Sequence, residues 1–515
     1  MGVERAIDAV LQAAGVGVLA SLVLERMLRP QPDRGRPWPA WAVHCGLWLA
    51  AYGLLLAPLG RPWFAACGVT ALVLLLVQVN NAKVKALREP FVFQDYEYFT
   101  DAIRHPRLYI PFLGWGRFLA AVTGFALAVG VGLWGEAVPP DRLAWSGQLG
   151  GVTTVLAAAV LLLCLAGRRS FLPVSFDPEQ DVRALGLFAS LWRYGLEGRR
   201  LPDARSPFEG AAGLARPEDL PHLVAVQSES FFDARALYPG IRPEVLARYD
   251  ALKAEAVMHG RLAVPAWGAN TVRTEFAFLA GIAQDALGVH RFNPYRALAA
   301  GWDVSSIASF LKRLGYRTVC IHPYPASFYL RDRVYPGLGF DAFEDIRAFA
   351  GAGRSGPYVG DAAVAERVAS LLDAAQGPVF IFVITMENHG PLHLERVGPS
   401  DEAELYSAPP PAGCEDLTIY LRHLRNADRM IERLRRAADA SPRAVGLCWY
   451  GDHVPIMPAV YSSFGVPVGD VEYVFWHSSA QGGGGQRSLS AEQLSVEWLR
   501  TMGLVRAAED GTDSG

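Results

Sequence analysis

The chain has 515 residues, 51% of them hydrophobic and only 19% charged, where soluble domains carry about 25% charged residues. Its 48 basic residues nearly cancel its 51 acidic ones, which removes the electrostatic case for a nucleic-acid partner. The apolar excess is concentrated in residues 1–166, which excludes a disordered chain, a coiled coil and a simple cytosolic enzyme, and points to a membrane anchor ahead of a globular domain.

Five apolar runs lie in that anchor, at 6–25, 40–59, 62–80, 111–134 and 148–166. Each is close to the about 20 residues that cross a bilayer as a helix, and Val152–Leu165 carries no charge at all. The first run is long and lacks a small-x-small cleavage pattern, so it is read as a span and not as a signal peptide. The loops 26–39 and 81–107 hold most of the basic residues, among them Arg36, Lys83, Arg104 and Arg107. Counted plainly, they place themselves, and with five spans the C-terminal domain, in the cytoplasm. The second loop also contains REPFVFQDYEYF, an amphipathic interfacial pattern. The six cysteines form no CxxC or other metal pattern and imply no disulfide framework.

Residues 167–215 read as an Arg-, Pro- and Gly-rich connector, 216–505 as a globular domain and 506–515 as a tail. Strands are expected at His222–Gln227, Arg317–His322, Pro378–Thr385, Ala444–Tyr450 and Glu472–Trp476, with helices between them. Runs such as VFIFVIT, apolar without alternation, imply a sheet covered on both faces, hence an α/β doubly wound fold. In such a sheet chemistry gathers beyond the C-terminal strand ends. Polar residues sit at four of those ends: Gln227–Ser230, Cys320–Tyr324, Met386–Gly390 and Tyr450–Pro455. Glu229, Asp452 and His453 offer two hard oxygens and an imidazole, a set that suits Mn²⁺, Zn²⁺ or Mg²⁺. Thr271 stands where a glycine-containing loop enters a helix, a place that suits an N-cap and equally a metal-activated nucleophile. Thr274, one turn later, is its rival.

In this order and spacing, SES at 228–230, GANTVRTEF at 268–276, HPYPASFYLRD at 322–332, ENHGPL at 387–392 and GDH at 451–453 give the chain a family likeness. It resembles the lipoteichoic acid synthase and phosphoglycerol transferase family of the alkaline phosphatase–sulfatase superfamily, five-span anchor included. The resemblance implies that residues 216–505 are a sulfatase-like catalytic domain. It implies that Glu229, Thr271, Asp452 and His453 hold one divalent ion, typically Mn²⁺, with Thr271 forming a phospho-threonine intermediate. Ser230, His322, Arg331 and His389 would contact the phosphate and glycerol, with Tyr329 standing where the family has tryptophan. The implied enzyme moves phosphoglycerol, or a related phospho-alcohol, from a phospholipid donor to a glycan or glycolipid acceptor. It does so at the cell membrane with the catalytic domain outside the cytoplasm, against the plain charge count. His389 or His322 can supply a proton to the leaving alkoxide. Two alternatives remain: a sulfatase-like phosphodiesterase that uses water, and a catalytically silent membrane protein that binds lipid. No C/S-x-P-x-R run surrounds Thr271, which counts against a formylglycine sulfatase.

Overall fold

The computed structural model of the protein describes residues 2–97, 115–138, 142–209, 220–480 and 482–505. The expected tail 506–515, the loop residues Arg104 and Arg107, the start of the fourth apolar run, and residues 210–219 at the junction of the expected connector and globular domain lie outside the described residues. The chain divides into two units, Met1–Arg200 and Leu201–Gly515.

The first unit is helical: α1 (Gly2–Glu25), α2 (Trp38–Leu59), α3 (Pro62–Leu87), α4 (Trp115–Gly135) and α5 (Arg142–Ala166), followed by the short α6 (Pro178–Leu185) and α7 (Leu187–Glu197). Among the described residues, α1, α2, α3 and α5 contain stretches long and apolar enough to cross a membrane. Of the fourth expected span, 111–134, the described residues carry an apolar stretch over Thr123–Gly135, shorter than a crossing. Small residues let these helices approach: a Cβ on Gly53 would meet Leu156, and one on Gly147 the backbone of Val3. Two of the basic loop residues are not free charges. Arg36 is buried in a salt bridge with Glu25, which His44 also approaches at 3.3 Å. Lys83 pairs with Glu89 at 2.7 Å and Asp95 at 2.6 Å.

The second unit is built on a nine-stranded sheet flanked by helices. Its strands include β1 (His222–Ser228), β2 (Met258–Ala263), β3 (Arg317–Ile321), β4 (Ala342–Glu344), a hairpin of β5 (Arg354–Ser355) and β6 (Tyr358–Val359) off the main sheet, β7 (Val379–Ile384), β8 (Val445–Gly451) and β9 (Val471–His477). Strands β8, β1, β7, β3 and β4 run parallel in that order, and β1, β7 and β8 are buried throughout, which is why their central residues are apolar without alternation. The sheet is mixed, not purely parallel: β9 pairs antiparallel with β8, and β2 with β9.

Helix α8 (Thr271–Ala280) is clamped to the sheet by Phe278, whose ring stacks on Phe382 of β7 and Tyr450 of β8 with centroids 5.5 and 5.0 Å apart. Burying one such ring stabilises the packing by about 1.5–3 kcal/mol. Gly281, with φ of 64°, ends the helix. This packing fixes where the N-terminus of α8 stands against the strand tips.

Candidate metal centre and active site

Strand β1 lies between β7 and β8, so the three tips are neighbours. The backbone N–H of Glu229 donates to Thr385 Oγ1 (2.9 Å), and that of Ser230 to Asp452 Oδ1 (2.8 Å), tying the first tip to both flanking ones. Ser230 holds a φ of 51°, a costly backbone for a non-glycine residue. Its hydroxyl donates to Glu229 Oε1 at 2.9 Å. The residue before Asp452 has to be glycine, because a Cβ on Gly451 would lie 2.1 Å from the Phe231 carbonyl oxygen.

Glu229, Asp452 and His453 are buried, and one ligand atom from each lies within 4.8 Å of the others. His453 Nε2 is 3.7 Å from Glu229 and 3.4 Å from Asp452. Burial, and then the Asp452 charge, push the Glu229 carboxyl up to about 8. Asp452 Oδ2 is buried without a hydrogen-bond partner among the described residues. Crowded carboxylates and an orphaned oxygen are costly alone and are satisfied by a divalent cation, so the donor set fits such an ion.

Thr271 is the first helical residue of α8, and the cap position belongs to Asn270, which has a left-handed backbone and makes no side-chain cap bond. No hydrogen bond among the described residues engages the Thr271 hydroxyl, which leaves it without a capping job. Thr274 does have one: fully buried, it donates to the Asp452 carbonyl at 2.8 Å and anchors α8 to the β8 tip. Between the two threonines, the geometry leaves Thr271 the open hydroxyl.

His322, at the tip of β3, and Arg331 come together. Arg331 Nη1 donates to His322 Nε2 at 3.1 Å, and His322 Nδ1 faces the Ile384 carbonyl at 3.1 Å. Burial, reinforced by the Arg331 charge, holds the His322 pKa well below its usual value. This imidazole is therefore neutral, with Nε2 accepting from Arg331 and its one proton, on Nδ1, held by the Ile384 carbonyl. Arg331 sits 5.2 Å over the half-buried ring of Tyr329. Glu275, inside the GANTVRTEF stretch but with no expected role, accepts from Arg331 Nε (3.0 Å) and Nη2 (2.7 Å), from Tyr295 (2.6 Å) and from Tyr335. It is completely buried.

At the β7 tip His389 is half-buried, with Nδ1 2.7 Å from the Gly390 carbonyl. Burial lowers its pKa, so it too is neutral, but Nε2 is uncommitted among the described residues. Its neighbour Asn388 is buried with both side-chain polar atoms lacking partners among the described residues, a donor and acceptor pair that sequence reasoning missed. Glu387, on the same tip, accepts from Asn426 and the Asp361 N–H (2.7 Å) and is paired at 3.0 Å with buried His423.

His423 also meets Glu395 at 3.1 Å. Burial opposes its charge, but the bonds to Glu387 and Glu395 win and push it up to about 9. A folded-state pKa raised above the unfolded one contributes stability that is complete below about pH 6.5 and disappears as pH climbs through about 9. The unfolding midpoint of the metal-loaded protein should therefore fall across that window, by the equivalent of on the order of 3 kcal/mol. His423→Gln should flatten the slope, and an unchanged alkaline slope in that variant would remove His423 as its source.

Comparison with known proteins agrees with this architecture. The family model described as Sulfatase matches residues 221–496, just over half of the chain. The capsular polysaccharide biosynthesis protein RkpI of Rhizobium meliloti (strain 1021) is 29% identical over 428 residues, covering 79% of this chain and 76% of that one. A putative cyclic beta-1,2-glucan modification protein of the same organism is 27% identical over 246 residues, 48% of this chain and 37% of the relative. Among solved structures, the integral membrane lipooligosaccharide phosphoethanolamine transferase A of Neisseria meningitidis shares the fold at a TM-score of 0.58, with 14% identity and 95% of each chain covered. Strand order, tip residues and family match converge: the chain belongs to the sulfatase family, within the divalent-metal-dependent alkaline phosphatase–sulfatase superfamily.

Proposed function

We propose that this protein is a membrane-anchored phosphotransferase that moves phosphoglycerol, or a related phospho-alcohol, from a phospholipid to a glycan or glycolipid. The observation that carries this reading is the convergence of Glu229, Asp452 and His453 beside an α8 N-terminus whose Thr271 hydroxyl is uncommitted. In this reading Glu229, Thr271, Asp452 and His453 hold one divalent ion, Mn²⁺ before Mg²⁺ or Zn²⁺. Such an ion neutralises phosphate charge and makes a bound hydroxyl easier to deprotonate.

The Thr271 oxygen attacks phosphorus, the bond to the diacylglycerol oxygen breaks, and a phospho-threonine forms. His389, neutral and with Nε2 open, accepts the threonine proton and returns it to the departing diacylglycerol oxygen. An acceptor hydroxyl then attacks the phospho-threonine, its proton passing to the Thr271 oxygen by the same imidazole. Arg331 retains two N–H groups beyond the three held by Glu275 and His322, enough to meet phosphate oxygens. Ser230 and His322 border the same pocket.

The catalytic unit is proposed to lie outside the cytoplasm. The basic loops that argue otherwise lose weight because Arg36 and Lys83 are bound in ion pairs within their own unit. The RkpI relative is named for capsular polysaccharide biosynthesis, which favours a glycan acceptor.

The test is elemental analysis of the purified full chain, followed by release of diacylglycerol from labelled phosphatidylglycerol. One divalent ion per chain and metal-dependent release are expected, and Asp452→Ala should lower metal content and rate together. Release that depends only on water, with label never reaching a glycan, would establish a phosphodiesterase instead. Metal without release would establish a binding protein.

A further inference from the structure

A cavity of about 310 Å³ opens where the β5–β6 hairpin meets α9 (Asp361–Asp373) and α10 (Glu415–Ala440). Helix α9 leads into β7, so its N-terminus stands at the strand-tip edge of the sheet, where Glu387 is shared between the cavity wall and the tip bearing His389. The volume is at the lower end for small-molecule sites and suits a single sugar ring better than an acyl chain. Polar groups are set into a wall that is otherwise largely apolar: Ser355, Asn426 and Glu387 line it, as do the exposed Arg354, Arg429 and Arg433.

The charge balance is uneven. Glu387 is neutralised by His423, and Glu366 by Arg433 at 3.0 Å. Arg354 donates to the Pro357 carbonyl (2.8 Å) and Arg429 to the Asn426 side chain (3.4 Å), and neither meets a carboxylate among the described residues. Two guanidinium groups without a carboxylate partner among the described residues, set beside Ser355 and Asn426, form a site for an oxyanion carried on a sugar.

We propose that this cavity is a subsite for one anionic sugar unit, its carboxylate or phosphate held by Arg354 and Arg429 and its hydroxyls by Ser355 and Asn426. Calling that unit part of the acceptor rests on the function proposed above, while the binding itself does not.

The experiment is titration of the full-length protein in detergent with D-glucuronate, glucose 6-phosphate and glucose, followed calorimetrically. At least one anion should saturate and glucose should not. Saturation by glucuronate alone identifies a carboxylate ligand, and by glucose 6-phosphate alone a phosphate ligand. Binding should weaken at least tenfold in Arg354→Gln and in Arg429→Gln, both exposed positions that tolerate the change, and should persist in Asp452→Ala. The proposal is overturned if neither anion saturates, if glucose binds as well as the anions, or if Asp452→Ala loses binding while the arginine variants keep it. Wild-type protein that cleaves the donor but binds no sugar anion removes the subsite and leaves the function standing. Binding without cleavage does the reverse.

Discussion

Thr271→Ala should cut turnover by at least about 10⁴-fold while leaving the fold and most of the bound metal in place. The size follows from what is lost. Deleting a nucleophile removes the covalent route altogether, and the residual rate is whatever the cation and the charged pocket give to water. The fold should survive because Thr271 caps nothing, and the helix keeps its anchors at Thr274 and Phe278. Three of the four proposed ligands remain, so elemental analysis should still find the ion. Thr271→Ser should keep turnover within roughly tenfold, since it keeps a hydroxyl at the same place. Intact-mass measurement of wild-type protein quenched during donor turnover should show the added phosphoglycerol, and the alanine variant should not. Full activity in Thr271→Ala would end the nucleophile assignment, and Thr274 could not readily inherit it while its hydroxyl is committed to the Asp452 carbonyl.

The sequence made the centre readable for a physical reason. Strands β1, β7 and β8 are buried on both faces, so each carries an apolar stretch without alternation, and Glu229, His389 and Asp452–His453 lie among the polar residues that follow. What a run does not reveal is a half-exposed strand: β2 reads MHGRLA, intermediate in burial over most of its length, and so it was not legible, although its antiparallel partner β9 was expected at Glu472–Trp476. Glu275 had no signature at all. Its partners Tyr295, Arg331 and Tyr335 lie 20, 56 and 60 residues away, and no local pattern joins them. His322 was legible as a site residue, but its inability to act as an acid depends on Arg331 occupying Nε2, which only the folded chain reveals.

Glu275→Leu should be among the most destabilising single substitutions in the catalytic unit, at about 3–5 kcal/mol, because it strands a buried guanidinium with no counter-charge. Two phenol groups lose their acceptor in the same step. At roughly 2–4 °C per kcal/mol for a unit of this size, the unfolding midpoint should drop on the order of 10 °C. The double variant Glu275→Leu/Arg331→Leu should recover much of that loss, since removing both members of a buried pair costs far less than removing one. Recovery of stability must not bring recovery of turnover: if Arg331 has its proposed role, its removal takes two N–H groups from the donor phosphate, and the folded double variant should remain slow with saturating metal. The gentler Glu275→Gln separates orientation from charge, because its amide can accept through a single oxygen and cannot hold Arg331 by both edges. It should raise KM for the donor more than it lowers the midpoint. If the double variant is fully active, Arg331 is a packing residue whose charge exists only to satisfy Glu275. If the single leucine variant melts with the wild type, the pair does not hold this corner of the site together. The two measurements thus separate a residue that grips phosphate from one that merely fills the core, a distinction that burial alone cannot make for a guanidinium this deep.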